Sequence, residues 1–116
     1  MQTLVTHWRG LWGQGELPFY LVELAPYLYS NESRHGGTSG ALLREAQFEA
    51  ARSIPNSGIV CTNDLAYPYE DIQIHPCRTK EVGQRLAWLA LNRAYGFDSI
   101  DCEGPVFREM EIVGNE

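Results

Sequence analysis

The sequence predicts an α/β domain built on a parallel sheet. Helix-like and strand-like segments alternate along the chain. Two short runs are apolar almost without a break, the habit of strands covered on both faces. Gly13, Gly15, Pro26, Pro55, Pro76 and Gly96 fall at the ends of these segments.

The first element is a helix. Met1, Leu4, Val5, Trp8, Leu11 and Trp12 follow the i, i+3, i+4, i+7 spacing of one helix face, and Gly13 and Gly15 end it. The stripe is already in phase at the first residue, with no capping residue ahead of it. That fits a frayed N-terminal helix and a longer helix cut short equally well. Pro18-Phe19-Tyr20-Leu21-Val22-Glu23-Leu24 reads as a buried strand closed by Ala25-Pro26, and residues 27–40 as a polar, Gly-rich surface loop. A second helix carries Leu43, Ala46 and Ala50 on one face, with Thr38 or Ser39 as its N-cap and Pro55 just past its end. Asn56-Ser57-Gly58 reads as a turn into a short strand, Ile59-Val60-Cys61-Thr62, and residues 63–74 as another loop. Pro76 stands where a first helical residue belongs. Val82, Leu86, Leu89, Ala90 and Ala94 share one face of that third helix, and Gly96 terminates it. A last β-like stretch spans Val106 to Val113.

Composition narrows the function classes. The chain has 116 residues, 44% hydrophobic and 21% charged, so one domain with a core is expected and disorder is excluded for most of it. Nine Lys and Arg against 15 Asp and Glu leave a formal net charge of -6, which argues against nucleic acid or an anionic membrane as partner. No apolar run approaches the roughly 18 residues of a membrane span, and the first residues lack the pattern of a secretory signal. Cys61, Cys77 and Cys102 form no CxxC and cannot all pair. A disulfide scaffold or zinc ribbon is therefore not expected. Cys61, His75 and Cys77 lack the fourth ligand and the spacing of a zinc site. Two strands are too few for a parallel sheet of about five, so the chain is either a fragment of a larger α/β domain, the favoured reading, or it borrows strands from another copy.

In such sheets ligands gather at the carboxyl ends of the strands. Two loops lie there, residues 25–38 and 63–75, and the second carries Asn63, Asp64, Glu70, Asp71 and His75. His75 directly precedes Pro76. At a helix N-cap the dipole disfavours its protonated form and keeps the imidazole available as a general base. A lone His-Pro is nonetheless more often a capping residue than a catalyst. Trp8, Trp12 and Trp88 sit on helical faces and read as core. Tyr27, Tyr67 and Tyr69 sit on loops at the presumed active edge, where a ring can stack on a sugar.

Several motifs follow one another in order: Trp12-Gly13-Gln14-Gly15-Glu16-Leu17-Pro18-Phe19-Tyr20, Leu24-Ala25-Pro26-Tyr27, Leu43-Arg44-Glu45-Ala46-Gln47, Ile74-His75-Pro76, Glu81-Val82-Gly83, Arg85-Leu86-Ala87 and Tyr95-Gly96. From Trp8 to about Val113 the chain resembles the C-terminal part of a sialate O-acetylesterase-type carbohydrate esterase of the SGNH hydrolase superfamily. The resemblance implies a partial flavodoxin-like three-layer αβα sandwich, with residues 1–103 in the esterase domain and 104–116 opening a following β-rich segment. It also implies a serine esterase that removes acetyl groups from sugars, with an acetylated sugar or glycan as substrate, no metal or organic cofactor, and a periplasmic or secreted location.

Within that resemblance His75 matches the catalytic histidine. Asp71 is the first choice for its orienting acid, Asp64 the second and Glu70 the third, because Gln73 and Ile72 occupy the positions where relatives often carry an aspartate. The family's Gly-Gln-Ser-Asn nucleophile block has no match here. Gly13-Gln14-Gly15 lacks a hydroxyl and follows a helix. Ser30, Ser33, Ser39, Ser53, Ser57 and Ser99 all lack the strand-to-helix turn that exposes a nucleophile. The oxyanion-hole glycine and asparagine also belong to upstream blocks, and without them about 3 kcal/mol of transition-state stabilisation is missing. The alternative reading is a non-catalytic sugar-binding or assembly module derived from the esterase.

Overall fold

A computed structural model describes residues 1–29, 34–70, 72 and 74–114, with Arg34 and His35 described by their backbone alone. In chain order it contains α1 (Gln2–Trp12), β1 (Phe19–Val22), a 3-10 turn (Arg34–Gly37), α2 (Ser39–Ser53), β2 (Ser57–Val60), a second 3-10 turn (Pro68–Glu70) and α3 (Thr79–Arg93). The two strands pair in parallel, Phe19 opposite Ser57 and Val22 opposite Val60. The α/β class and the parallel sheet agree with the sequence. α2 packs against both strands and α3 against β2.

The core is small. Leu21, Val60, Ile54, Ala51, Leu65, Val5 and Leu89 are its buried apolar side chains among the described residues. Gly58 is where α3 comes closest to the sheet. A Cβ there would lie 3.0 and 3.2 Å from the two methyl groups of Leu89, which is fully buried. On the α2 side, the buried Ser57 hydroxyl lies 2.6 Å from the carbonyl of Ala51 and 2.9 Å from that of Ile54.

β2 thus begins two residues earlier than the sequence suggests. Ser57 and Gly58 belong to the strand, and the turn contracts onto Asn56. This residue takes a left-handed φ of 49° and donates its side-chain amide to the carbonyl of Glu16 at 2.7 Å. A non-glycine tolerates that conformation best when it is Asn or Asp.

α1 is attached differently from the other helices. Of its apolar stripe only Val5 is buried, while Trp8, Trp12 and Leu11 are 40%, 60% and 69% exposed. Trp88 of α3 is 39% exposed. The expectation that the three tryptophans are core residues is therefore corrected. The described sheet is too narrow to cover them, and Trp8 instead meets Phe19 at 6.2 Å and Trp12 at 6.3 Å with tilted rings. Arg9 anchors the helix, its guanidinium donating to the carbonyls of Leu17 at 2.6 Å and Pro55 at 2.8 Å.

Side chains occupy both outer edges of the sheet. Alternate residues of β2 bond β1, so Ser57 and Cys61 present their carbonyls outward. Arg93 donates to Ser57 at 2.9 Å and Arg85 to Cys61 at 2.8 Å. The two arginines are two turns apart on α3, about 12 Å, which matches the roughly 13 Å that four strand residues span. On β1 the Gln47 amide accepts from Leu24 N–H at 2.8 Å and donates to the Val22 carbonyl at 3.3 Å.

Val106 to Val113 form no strand, contrary to the sequence reading. They run as irregular chain, with Phe107, Met110 and Val113 more than 70% exposed. A strand needs a neighbour to bond. The edge of β2 is already taken by arginines, and Arg93 holds Glu103 at 2.7 Å, which fixes the chain just before that stretch. Among the described residues no helix is long and apolar enough to cross a membrane.

Candidate active site

The strands end side by side, and polar side chains close them. Glu23 N–H donates to the Val60 carbonyl, continuing the ladder by one step. The next step is taken by side chains. Thr62 N–H donates to the Glu23 carboxylate at 2.9 Å, the Thr62 hydroxyl to the Leu24 carbonyl at 3.2 Å, and the Asn63 amide to the other Glu23 oxygen at 3.3 Å. From here residues 61–78 form the loop that carries the candidate histidine.

Glu70 organises that loop. It is buried, and each carboxylate oxygen accepts one backbone N–H, from Tyr67 and from Cys77, both at 2.6 Å. The Tyr67 amide first, then the Cys77 thiol and amide, hold its carboxyl below the usual carboxylate range. Hydrogen bonding to that carboxylate in turn pushes the Cys77 thiol up. Glu70 thus ties residue 67 to residue 77. Its two oxygens each hold a backbone amide, and among the described residues no hydrogen bond joins it to His75.

His75 is exposed on this loop. α3 begins at Thr79 rather than at Pro76, so His75 does not cap the helix and the dipole argument for its basicity is withdrawn. Arg78 takes a non-helical backbone conformation, φ -82° and ψ 44°, so the helix begins only after it. Asp71, the first choice for the acid, lies outside the described residues, as do Gln73, Ser30 and Ser33.

Asp64 lies four residues beyond the end of β2, and its carboxylate is held by Arg85, which donates to Oδ1 at 2.8 Å and also pairs with Oδ2. The Arg85 hydrogen bonds keep the Asp64 carboxyl below its ordinary range. Among the described residues none hydrogen-bonds the His75 ring, so the structure brings neither Asp64 nor a serine hydroxyl to it. Ser57, one of the candidate serines, is buried and committed to α2 carbonyls.

Three further contacts complete the loop. Tyr67 and Tyr69 stack with ring centroids 5.3 Å apart and planes 7° from parallel, and the Arg78 guanidinium lies 4.4 Å from the Tyr67 centroid. A cleft of about 650 Å³ opens beside Asp64 and Arg85, walled by Trp88, Phe48 and residues 101–106. His75 is not on its walls. No group of three or more His, Cys, Asp or Glu able to hold a metal is present among the described residues.

Sequence reasoning missed Gln47 and Arg85 and ranked Glu70 only as a distant acid. Glu70 follows Tyr-Pro-Tyr, a turn-forming string, and a carboxylate after such a turn is a recognisable candidate for collecting loop amides. For Gln47 the spacing gave no signal, since its partner atoms are backbone.

No protein-family profile matches the chain, and no curated protein matches it. Among solved structures it is similar to the crystal structure of a carbohydrate acetylesterase from Xanthomonas citri, at 32% sequence identity and a TM-score of 0.74. The match covers 93% of this chain and 23% of that one, so the chain spans about a quarter of that structure's length. Over nearly all its residues, then, the chain has a carbohydrate esterase-like fold, in the form of part of an α/β sandwich.

Proposed function

We propose that this chain is part of a sialate O-acetylesterase-type carbohydrate esterase of the SGNH hydrolase superfamily, with O-acetylated sugars or glycans as substrates. The observation that carries the reading is the structural likeness over 93% of the chain to a carbohydrate acetylesterase. The position of His75, on a loop leaving the carboxyl end of a parallel strand, supports it. Residues 1–103 belong to the esterase domain in this reading, and 104–116 lead into a following segment. A periplasmic or secreted location goes with the same proposal.

The chemistry assigned to His75 is general acid–base catalysis. A serine Oγ from another part of the full protein attacks the acetyl carbonyl and its proton passes to the imidazole. The imidazolium returns that proton to the sugar oxygen as the carbon–oxygen bond breaks, leaving an acetyl-enzyme and the free sugar hydroxyl. Water, deprotonated by the same imidazole, then releases acetate and restores the serine. Asp71 is the proposed partner of the second ring nitrogen. Asp64, already paired with Arg85, is proposed to fix the strand end from which the loop departs.

His75→Ala in the full-length enzyme is the test. Release of acetate from an acetylated sugar is expected to fall by about 10³-fold or more. An undiminished rate with a correctly folded variant overturns the assignment and favours the non-catalytic sugar-binding module.

A further inference from the structure

We propose that the bare face of Tyr69 is a carbohydrate platform that seats the pyranose ring of the ester alongside His75. The proposal rests on the esterase reading above and assigns it a substrate-binding residue.

Tyr69 is 70% exposed, yet its ring is not loose. One face rests on Tyr67 in a parallel stack at 5.3 Å, and Tyr67 carries the Arg78 guanidinium at 4.4 Å. The backbone beneath is fixed as well. Tyr69 lies inside the Pro68–Glu70 turn, and Glu70 fastens that turn to residues 67 and 77. A large apolar ring is thus held in place while its outer face is left to water.

The chemistry of the bare face selects the ligand. An aromatic ring has a negative face. The axial C–H groups of a pyranose form a flat, weakly positive patch of matching size, while its hydroxyls stay in water at the rim. A ring already immobilised loses little conformational entropy on binding. Tyr69 and His75 stand six residues apart in sequence, both in the segment between β2 and α3. Tyr27 offers a contrast. It meets Tyr29 edge-on at 5.2 Å and 66°, and no comparable stacked platform results.

The experiment uses the full-length protein as wild type, Tyr69→Phe, Tyr69→Ala and Tyr27→Ala. Each is titrated with an O-acetylated methyl pyranoside while the tyrosine ring signals are followed by NMR. Turnover is measured on the same sugar ester and on 4-nitrophenyl acetate. Tyr69→Ala is expected to weaken sugar binding and raise KM for the sugar ester about ten-fold. Its kcat, and turnover of the small aryl ester, stay near wild type. Tyr69→Phe, which keeps the ring, stays within about two-fold, as does Tyr27→Ala. Sugar affinity unchanged in Tyr69→Ala overturns the proposal, as do Tyr69 signals that fail to move. An aromatic peptide binding Tyr69 more tightly than the sugar also overturns it. If neither ester is hydrolysed by the wild type, the esterase reading fails on its own, and the titration still decides the platform.

Discussion

The close approach of Leu89 to Gly58 yields a prediction with a definite sign in two backgrounds. Leu89 is fully buried, and both of its methyl groups would stand within 3.2 Å of a Cβ at position 58. Gly58→Ala alone forces α3 or the Leu89 rotamer to shift. Overpacking of that kind costs about 1–3 kcal/mol, offset by about 0.5–1 kcal/mol from the lower chain entropy of alanine, so a net loss of about 1–2 kcal/mol is expected. Leu89→Ala alone removes the buried methyls and leaves a cavity that glycine cannot fill, a loss of about 3 kcal/mol. In the Leu89→Ala background the clash is gone and the new methyl enters the vacated space. Gly58→Ala there stabilises, by about 0.5–1 kcal/mol. The coupling energy of the cycle is then about 2 kcal/mol, within the usual range for touching residues. Urea unfolding of the four proteins, followed by circular dichroism, measures it. Equal costs of Gly58→Ala in both backgrounds would refute the packing account.

Three further outcomes follow from polar contacts. Glu70 has a depressed folded pKa, so the stability it lends the loop is present above the unfolded carboxyl value near 4.3 and is lost as pH falls through the lower folded value. Hydrogen exchange at the Tyr67 and Cys77 amides should therefore accelerate, beyond the trend of other loop amides, as the solution is acidified through that window. Glu70→Gln should show fast exchange at every pH, and equal protection in the variant at pH 7 would remove Glu70 from this role. Separately, Arg85→Met with Arg93→Met strips the side chains from the edge of β2 and adds apolar surface. The doubly substituted protein is expected to self-associate at concentrations where the parent does not, measured by light scattering. Asp64→Ala removes only the partner of an exposed ion pair and should change stability by less than about 1 kcal/mol.

What the sequence made legible was whatever local periodicity controls. All three helices, both strands and their parallel sense could be read from apolar spacing and from Gly and Pro at the ends. The failures share a cause. Trp8, Trp12 and Val106 to Val113 carry the pattern of buried elements, yet burial depends on what lies opposite, and no periodicity records that. The start of α3 moved from Pro76 to Thr79 because Arg78 takes a non-helical backbone conformation, which no window along the chain records. At the candidate site, the place of Asp64 and His75 in the segment after β2 is legible from the strand that precedes them, while the role proposed for His75 rests on the family resemblance. That Arg85 would claim Asp64 depended on α3 running back along β2, which only the tertiary fold supplies.

The polar ends of the sheet have a consequence for how the strands find their alignment. Phe19 to Val22 is apolar at every position, so sliding it by one residue against β2 would exchange one oily face for another at little cost. At one end Asn56 receives the Phe19 amide, passes its own amide to Glu16 and shares its carbonyl with Arg9. At the other, Glu23 can reach Thr62 and Asn63 only when four residues separate the two ends. The two termini act together as a gauge block. They admit one pairing out of several that the hydrophobic effect alone would accept, and so fix where the residue 61–78 loop, with His75, leaves the sheet.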